Sequence, residues 1–279
     1  MIEKSNRTTV EQILEKKRKH QKITMLTAYD YPLASLIDKA GVDIILVGDS
    51  VANVVLGLES TREVGMTEMI HHAKAANRGV KTSLLIGDMP FGSYKTERLA
   101  VKNAKRFVEE AGCNAVKLEW FNKCPEVAEA IIKSGIPVMG HVGLTPQTVK
   151  TKDGLKVQGT DAESAKEIID NAKMLEKKGC FSIVLECIPD KVAEIITNEL
   201  KIPTIGIGAG VYCDGQVLVT HDLLGLFDRY RPKFVKQYAN LNYSILEAII
   251  RYRDEVLQGK FPNEDYRFTI KKDEMDKLK

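Results

Sequence analysis

The chain has 279 residues, 44% apolar and 28% charged, the proportions of an ordinary globular protein. No apolar stretch approaches the roughly 18 residues of a membrane span, and the opening MIEKSNRTTVEQILEKKRKH has no apolar signal core, so a membrane protein and an exported one are both disfavoured. With 41 basic against 38 acidic residues the net charge is +3, which gives no general case for nucleic-acid binding.

In chain order, an amphipathic N-terminal helix is expected over Thr9–His20. Strands are then expected at Ile23–Thr27, Asp43–Gly48, Ser83–Gly87, Ala115–Glu119, Pro137–His141, Ser182–Glu186, Thr204–Gly208 and Gln216–Val219. The first seven are short apolar runs rather than clean alternations, the pattern of strands covered on both faces of a parallel sheet. Helices are expected between most of them, at Tyr31–Ala40, Thr67–Asn77, Thr96–Ala111, Pro125–Ser134, Asp161–Lys178 and Asp190–Leu200. Gly41, Gly112, Gly135 and Gly179 follow helix ends, where a left-handed cap favours glycine. The link from the seventh strand to the eighth has no regular helix, and a long amphipathic helix, Asn242–Gln258, comes after it.

Eight strands with helical crossovers in a chain of this length imply a single closed (β/α)₈ barrel with an extra N-terminal helix. A doubly wound sheet also alternates strand and helix, but it gathers ligand groups at one switch point. Here polar residues recur at the ends of five consecutive strands. With no linker and no composition shift, residues 1–279 read as one domain: helix 1–20, barrel core 23–260 and tail 261–279.

Two connections are too long for simple turns, SVANVVLGLESTREVG after the second strand and GLTPQTVKTKDGLKVQG after the fifth. Both follow strand C-termini and read as structureless binding loops or lids, with packing on a neighbouring subunit as the alternative for the second. Lys16–Lys19 and Lys271-Lys272 read as solvated faces, and His71-His72 as helix-surface residues. The five cysteines, Cys113, Cys124, Cys180, Cys187 and Cys213, form no C-x-x-C pair and suit a reduced cytoplasmic protein. Cys187 is discounted as a nucleophile, because it faces away from its neighbour Glu186 on a strand. IGIGAG has Val211 where a G-x-G-x-x-G fingerprint needs glycine, which argues against a dinucleotide site.

The chemistry lies at the strand ends. Asp49 closes DIILVGD, Asp88 closes TSLLIGD, Lys117 and Glu119 lie in AVKLE, His141 in PVMGH and Glu186 in SIVLE. Lys117 and Glu119 are two apart and share the interior face of their strand, where isolated charges are costly. A lone Asp49 or Asp88 reads as a helix cap. Three acids at equivalent strand ends point instead to a hard divalent cation, Mg²⁺ before Mn²⁺, and no Cys/His cluster supports zinc. Glu186, flanked by Leu185 and Cys187, suits a general base, with a salt bridge to Lys117 as the alternative. His141 could act as an acid, bond the substrate or sit satisfied in the core. The set describes an enzyme that uses a metal to form an enolate from a 2-oxo acid, with Lys117 supplying fixed positive charge.

The motifs GDS (48–50), GDMPF (87–91), VKLE (116–119), GHVGLTPQ (140–147), KVQG (156–159), VLECIP (184–189), IGIGAG (205–210) and DGQVLVTHD (214–222) resemble, in order, those of the ketopantoate hydroxymethyltransferase family. The resemblance runs from about Ile23 to Phe268 and implies a TIM barrel of the phosphoenolpyruvate/pyruvate type. It implies transfer of a hydroxymethyl group from 5,10-methylenetetrahydrofolate to 3-methyl-2-oxobutanoate through a Mg-stabilised enolate. The product would be 2-dehydropantoate, in pantothenate biosynthesis. By motif position, Asp49, Asp88 and Glu119 correspond to ligands of one Mg²⁺ per subunit. Asp49, Ser50, Asp88 and Lys117 correspond to substrate contacts, and Glu186 to the proton acceptor. The implied partners are small molecules, with neither nucleic acid nor membrane, in a homo-oligomer of the decameric kind. Trp120-Phe121 stands where the family has Gly-Gly and reshapes the donor side of the pocket, and the tail Lys271–Lys279 runs past the usual end, as a disordered or subunit-contacting appendix. Two other readings remain. One is a 2-oxo acid carbon–carbon lyase or aldolase, which would need a cysteine or further acid on a gating loop, where Leu144–Gln158 offers only Asp153. The other is a non-catalytic binding barrel or scaffold, which has no use for paired interior charges.

Overall fold

The computed structural model describes residues 7–148 and 156–278. These fall into two compact units. One comprises the chain through His221 together with Pro232–Val235, and the other comprises Asp222–Arg231 and the residues from Lys236 onward.

The first unit holds a closed barrel of eight parallel strands in sequential order. They are β1 Ile23–Thr27, β2 Ile44–Val47, β3 Leu84–Asp88, β4 Ala115–Lys117, β5 Val138–Gly143, β6 Ser182–Glu186, β7 Thr204–Ile207 and β8 Gly215–Leu218. β8 pairs with β1 through Gly215 and Ile23, which closes the ring. Helices α1 Val10–Arg18, α2 Tyr31–Lys39, α3 Val51–Val54, α4 Met66–Gly79, α5 Glu97–Glu109, α6 Cys124–Lys133, α7 Ala162–Lys177 and α8 Asp190–Glu199 precede or join the strands. α9, Thr220–Leu223, is a single turn after β8.

Alternation along each strand sorts the side chains into two cores. Ile44, Leu46, Leu84, Ile86, Ala115, Met139 and Val184 pack with one another inside the barrel. Their neighbours Ile45, Val47, Leu85, Val116, Leu118, Ile183 and Leu185 pack into a second cluster with the helices. This double burial is why the strands read as unbroken apolar runs.

Ile13 of α1 joins the interior cluster and is fully buried. A capping box starts that helix, with Thr9 accepting from the Gln12 N–H and the Gln12 side chain accepting from the Thr9 N–H. The basic run was expected on a solvated face, but it divides. Arg18 and Lys19 pair along the helix with Glu11 and Glu15. Lys16 instead pairs with Asp43, ahead of β2, and Lys17 reaches Asp214, ahead of β8, at 2.7 Å. The helix thus lies against the strand N-termini, leaving the opposite end for chemistry. His71 is exposed as expected, whereas His72 is half-buried and its Nδ1 bonds the Tyr29 carbonyl at 2.8 Å.

The connection after β2 is also more ordered than a structureless loop. It carries α3 and a 3₁₀ turn, Thr61–Glu63, closed by a reciprocal Ser60–Glu63 capping box. Of the connection after β5, residues 149–155, with Asp153, lie outside the described residues. In the second unit α10, Leu241–Leu257, starts at an Asn240 cap and leaves Ile249 and Leu257 exposed. Lys272–Asp276, in the tail, forms the short helix α11.

Asp38, buried near the end of α2, ties that helix to β3. Its carboxylate accepts the Lys81, Thr82 and Ser83 N–H groups and the Thr82 hydroxyl at 2.8–3.1 Å. Burial pushes its pKa up, but these donors outweigh it and hold the group below its ordinary value. Its contribution to stability is therefore complete above the unfolded pKa of roughly 3.9 and is lost as pH falls through the lower folded value. Asp38→Asn should cost about 1–3 kcal/mol in urea unfolding at pH 7. The gap to the wild type should narrow as pH drops below 4; a gap independent of pH would contradict this assignment.

Candidate active site

The polar residues gather at the C-terminal end of the barrel. Asp88 is the last residue of β3 and lies in register with Lys117, the last of β4. Asp49 stands two residues past β2, and Glu119 two past β4. His141 lies within β5, and Glu186 ends β6. Every residue expected at the site except Ser50 and Glu186 is buried, and those two are half-buried.

Lys117 and Asp88 form a two-pronged ion pair, Nζ donating to Oδ1 at 2.8 Å and Oδ2 at 2.9 Å. Burial alone would lower the Lys117 pKa, but Asp88, Glu119 and Asp49 raise it above the ordinary lysine value, so the ammonium stays charged. The alternative salt bridge from Lys117 to Glu186 is not among the ion pairs formed; Asp88 takes that place.

Asp49 and Glu119 form no ion pair with a lysine or arginine among the described residues. Burial and then the charge of Asp88 push Asp49 up to about 7, against the opposing pull of Lys117 and the Gln147 amide. Burial likewise raises Glu119 well above the carboxylate range, with Asp49, Asp88 and Glu186 adding to it and Lys117 opposing. Asp49, Asp88 and Glu119 therefore share a dry space with one ammonium.

His141 lies between two carboxylates, with Nε2 3.3 Å from Glu186 Oε2 and Nδ1 3.8 Å from Glu119 Oε1. Neither ring nitrogen makes a hydrogen bond among the described residues. It is thus not a satisfied core histidine but a group facing both acids. Ser50 bonds the Tyr29 hydroxyl at 2.7 Å. Cys187 lies just past β6 with a left-handed backbone (φ 47), so strand alternation does not set its direction as expected; burial followed by the Glu186 charge pushes its thiol up to about 12, which by itself disfavours a nucleophile.

Gln147 ends the GHVGLTPQ motif and is not among the expected site residues. It is fully buried, and its Nε2 donates to Asp49 Oδ2 at 2.8 Å and to the Met89 carbonyl at 3.1 Å. Its backbone N–H donates to Glu119 Oε2 at 3.0 Å, and its Oε1 accepts the Tyr94 hydroxyl at 2.6 Å. A glutamine six residues past His141, the expected end of the fifth strand, carries no periodicity that marks it; only the path of the loop does. Phe91, Tyr94, Trp120 and Phe121 line a cavity with Gln147 and Thr148, and Tyr94 meets Phe121 edge-on at 5.5 Å. Trp120-Phe121 thus builds part of this aromatic wall, beside the acids.

As they stand, no three His, Cys, Asp or Glu side chains among the described residues form a closed ligand cluster. The donor set nevertheless fits a hard divalent ion. All its atoms are oxygens, and three carboxylates face one ammonium. Asp49 Oδ1 and Glu119 Oε1 accept no hydrogen bond among the described residues.

The family profile described as ketopantoate hydroxymethyltransferase matches residues 7–264. A 3-methyl-2-oxobutanoate hydroxymethyltransferase of Syntrophomonas wolfei is 52% identical over 273 residues, 98% of this chain and 99% of that protein. One of the same description from Clostridium botulinum is 53% identical with the same coverage. Among solved structures, 2,3-dimethylmalate lyase, a PEP mutase/isocitrate lyase superfamily member, superposes with TM-score 0.60 at 12% identity over 97% of each chain. A phosphonopyruvate hydrolase superposes with TM-score 0.60 at 13% identity, over 96% of this chain and 94% of that one. At such identities these two show the fold alone.

Lys117→Met leaves Asp88 as an unpaired buried charge and should cost about 3–5 kcal/mol in urea unfolding. Adding Asp88→Leu should recover most of that loss. A double variant as unstable as the sum of the two single variants would contradict the pairing.

Proposed function

This chain belongs to the ketopantoate hydroxymethyltransferase family, and we propose that its barrel mouth carries out the transfer on a divalent cation held by Asp49, Asp88 and Glu119. The protein is a hydroxymethyltransferase of pantothenate biosynthesis that acts on small molecules. The observation that supports the site reading is the excess of buried carboxylate over ammonium beside Glu186. The oxo acid in this reading is 3-methyl-2-oxobutanoate, the donor is 5,10-methylenetetrahydrofolate and the cation is Mg²⁺, one per subunit.

A divalent cation bound here would supply electron withdrawal from the oxo acid's carbonyl, which acidifies the adjacent C–H. The remaining tasks fall to side chains. Lys117, held charged by Asp88, offers fixed positive potential to the substrate carboxylate and to negative charge developing on the oxo group. Asp49, Ser50 and Asp88 contact and orient the substrate. Glu186, less buried than the other acids, takes the C3 proton, and His141 Nε2 at 3.3 Å faces the carboxylate that receives it. The aromatic cavity of Phe91, Tyr94, Trp120 and Phe121 offers flat apolar surface for the ring of the one-carbon donor.

The reading includes a homo-oligomer in the cytoplasm. The exposed apolar residues of α10 are consistent with subunit contact, and no helix among the described residues is long and apolar enough to cross a membrane.

With Mg²⁺ in heavy water, the protein should exchange the C3 proton of 3-methyl-2-oxobutanoate for deuterium, followed by NMR. Glu186→Gln should slow that exchange by about 10²- to 10⁴-fold while the oxo acid still binds. Undiminished exchange in Glu186→Gln would remove Glu186 from the base role.

A further inference from the structure

The geometry points to Gln147 as a positioning residue that takes one oxygen from each of Asp49 and Glu119 and leaves the other, Asp49 Oδ1 and Glu119 Oε1, for a divalent cation. The inference rests on the cation reading above and adds a residue to it.

The bonds of Gln147 run in a fixed sense. Its Nε2 lies beside Asp49 Oδ2 and the Met89 carbonyl, and the carbonyl can only accept. The amide must therefore present NH₂ on that side and its oxygen on the other. The Tyr94 hydroxyl meets that oxygen at 2.6 Å and braces the side chain from behind. The backbone N–H of the same residue holds Glu119 Oε2 at 3.0 Å. One residue thus orients two carboxylates that come from different strand ends. It does so with a neutral group, which adds no further acid to a space that already holds three. Tyr94 and Gln147 also line the aromatic cavity, so the brace joins that wall to the carboxylates.

Glutamate is close in shape but cannot donate to Asp49 or Met89, and leucine can neither donate nor accept. Mn²⁺ binding, read by electron paramagnetic resonance on protein without substrate, reports the site independently of turnover. Gln147→Glu and Gln147→Leu should each weaken Mn²⁺ by about 10- to 100-fold. In turnover, both should raise the Mg²⁺ concentration for half activation far more than they lower the rate at saturating Mg²⁺, a split that mere loss of packing would not give. Tyr94→Phe, which removes only the brace, should weaken Mn²⁺ by a few-fold and keeps the test open if either Gln147 variant fails to fold.

Asp88→Asn and Glu119→Gln separate cation binding from the positioning of its ligands. If these acid variants bind Mn²⁺ as the wild type does, the cation reading itself fails. If they lose Mn²⁺ while the Gln147 and Tyr94 variants bind like the wild type, the positioning role is overturned and the cation reading stands. Tighter Mn²⁺ binding in Gln147→Leu would also overturn the positioning role, since the amide would then be competing with the ion.

Discussion

Asp49, Asp88 and Glu119 are shut away from water at one end of the barrel with Lys117 among them. Isolated, each charge would cost several kcal/mol to bury. Asp88 and Lys117 answer one another through two hydrogen bonds, which leaves Asp49 and Glu119 to be answered by hydrogen bonds and by whatever binds. A site kept short of positive charge is poised for a cation, and one made only of carboxylate oxygens favours a hard one. Gln147, His141 and the position of Glu186 all gain their meaning from that imbalance.

The barrel makes the imbalance possible. Parallel pairing sets Asp88 beside Lys117 in register, so a strand-to-strand spacing of roughly 5 Å becomes an ion pair. Alternation turns Lys117 and Glu119 the same way while Val116 and Leu118 pack among the helices. At the far end α1 lies against the strand N-termini, with Ile13 in the interior core and Lys16 and Lys17 bonded to residues that precede β2 and β8. Stability and chemistry thus occupy opposite ends, the usual division in such barrels.

Much of this was legible in the residue order, because burial on two faces writes long-range structure into short apolar runs. The strands that carry Asp88, Lys117 and Glu186 could be found that way, and with them the side of the barrel that reacts. β8 was placed one residue late, since Gly215, which approaches the Ile23 carbonyl closely, has no side chain to show a buried face. The 3₁₀ turn after β2 leaves no mark in the apolar pattern because capping, here Ser60 with Glu63, organises a segment that has no apolar period. Lys16 and Lys17 looked like a solvated run, since their partners lie about 27 and 197 positions away in the chain. Gln147 escaped notice for a related reason. Its contacts come from beyond β2, from just past β3, from beyond β4 and from the loop containing Tyr94, and no local pattern records such a meeting.

The proposed role of every residue at the barrel mouth depends on a divalent cation among the buried carboxylates. The most direct measurement is anomalous X-ray diffraction from crystals grown with Mn²⁺ and 3-methyl-2-oxobutanoate. One strong anomalous peak is expected at the C-terminal end of the barrel, bonded by oxygens of Asp49, Asp88 and Glu119. A peak held by other residues, or none at that end of the barrel in crystals that show the oxo acid bound, would contradict it.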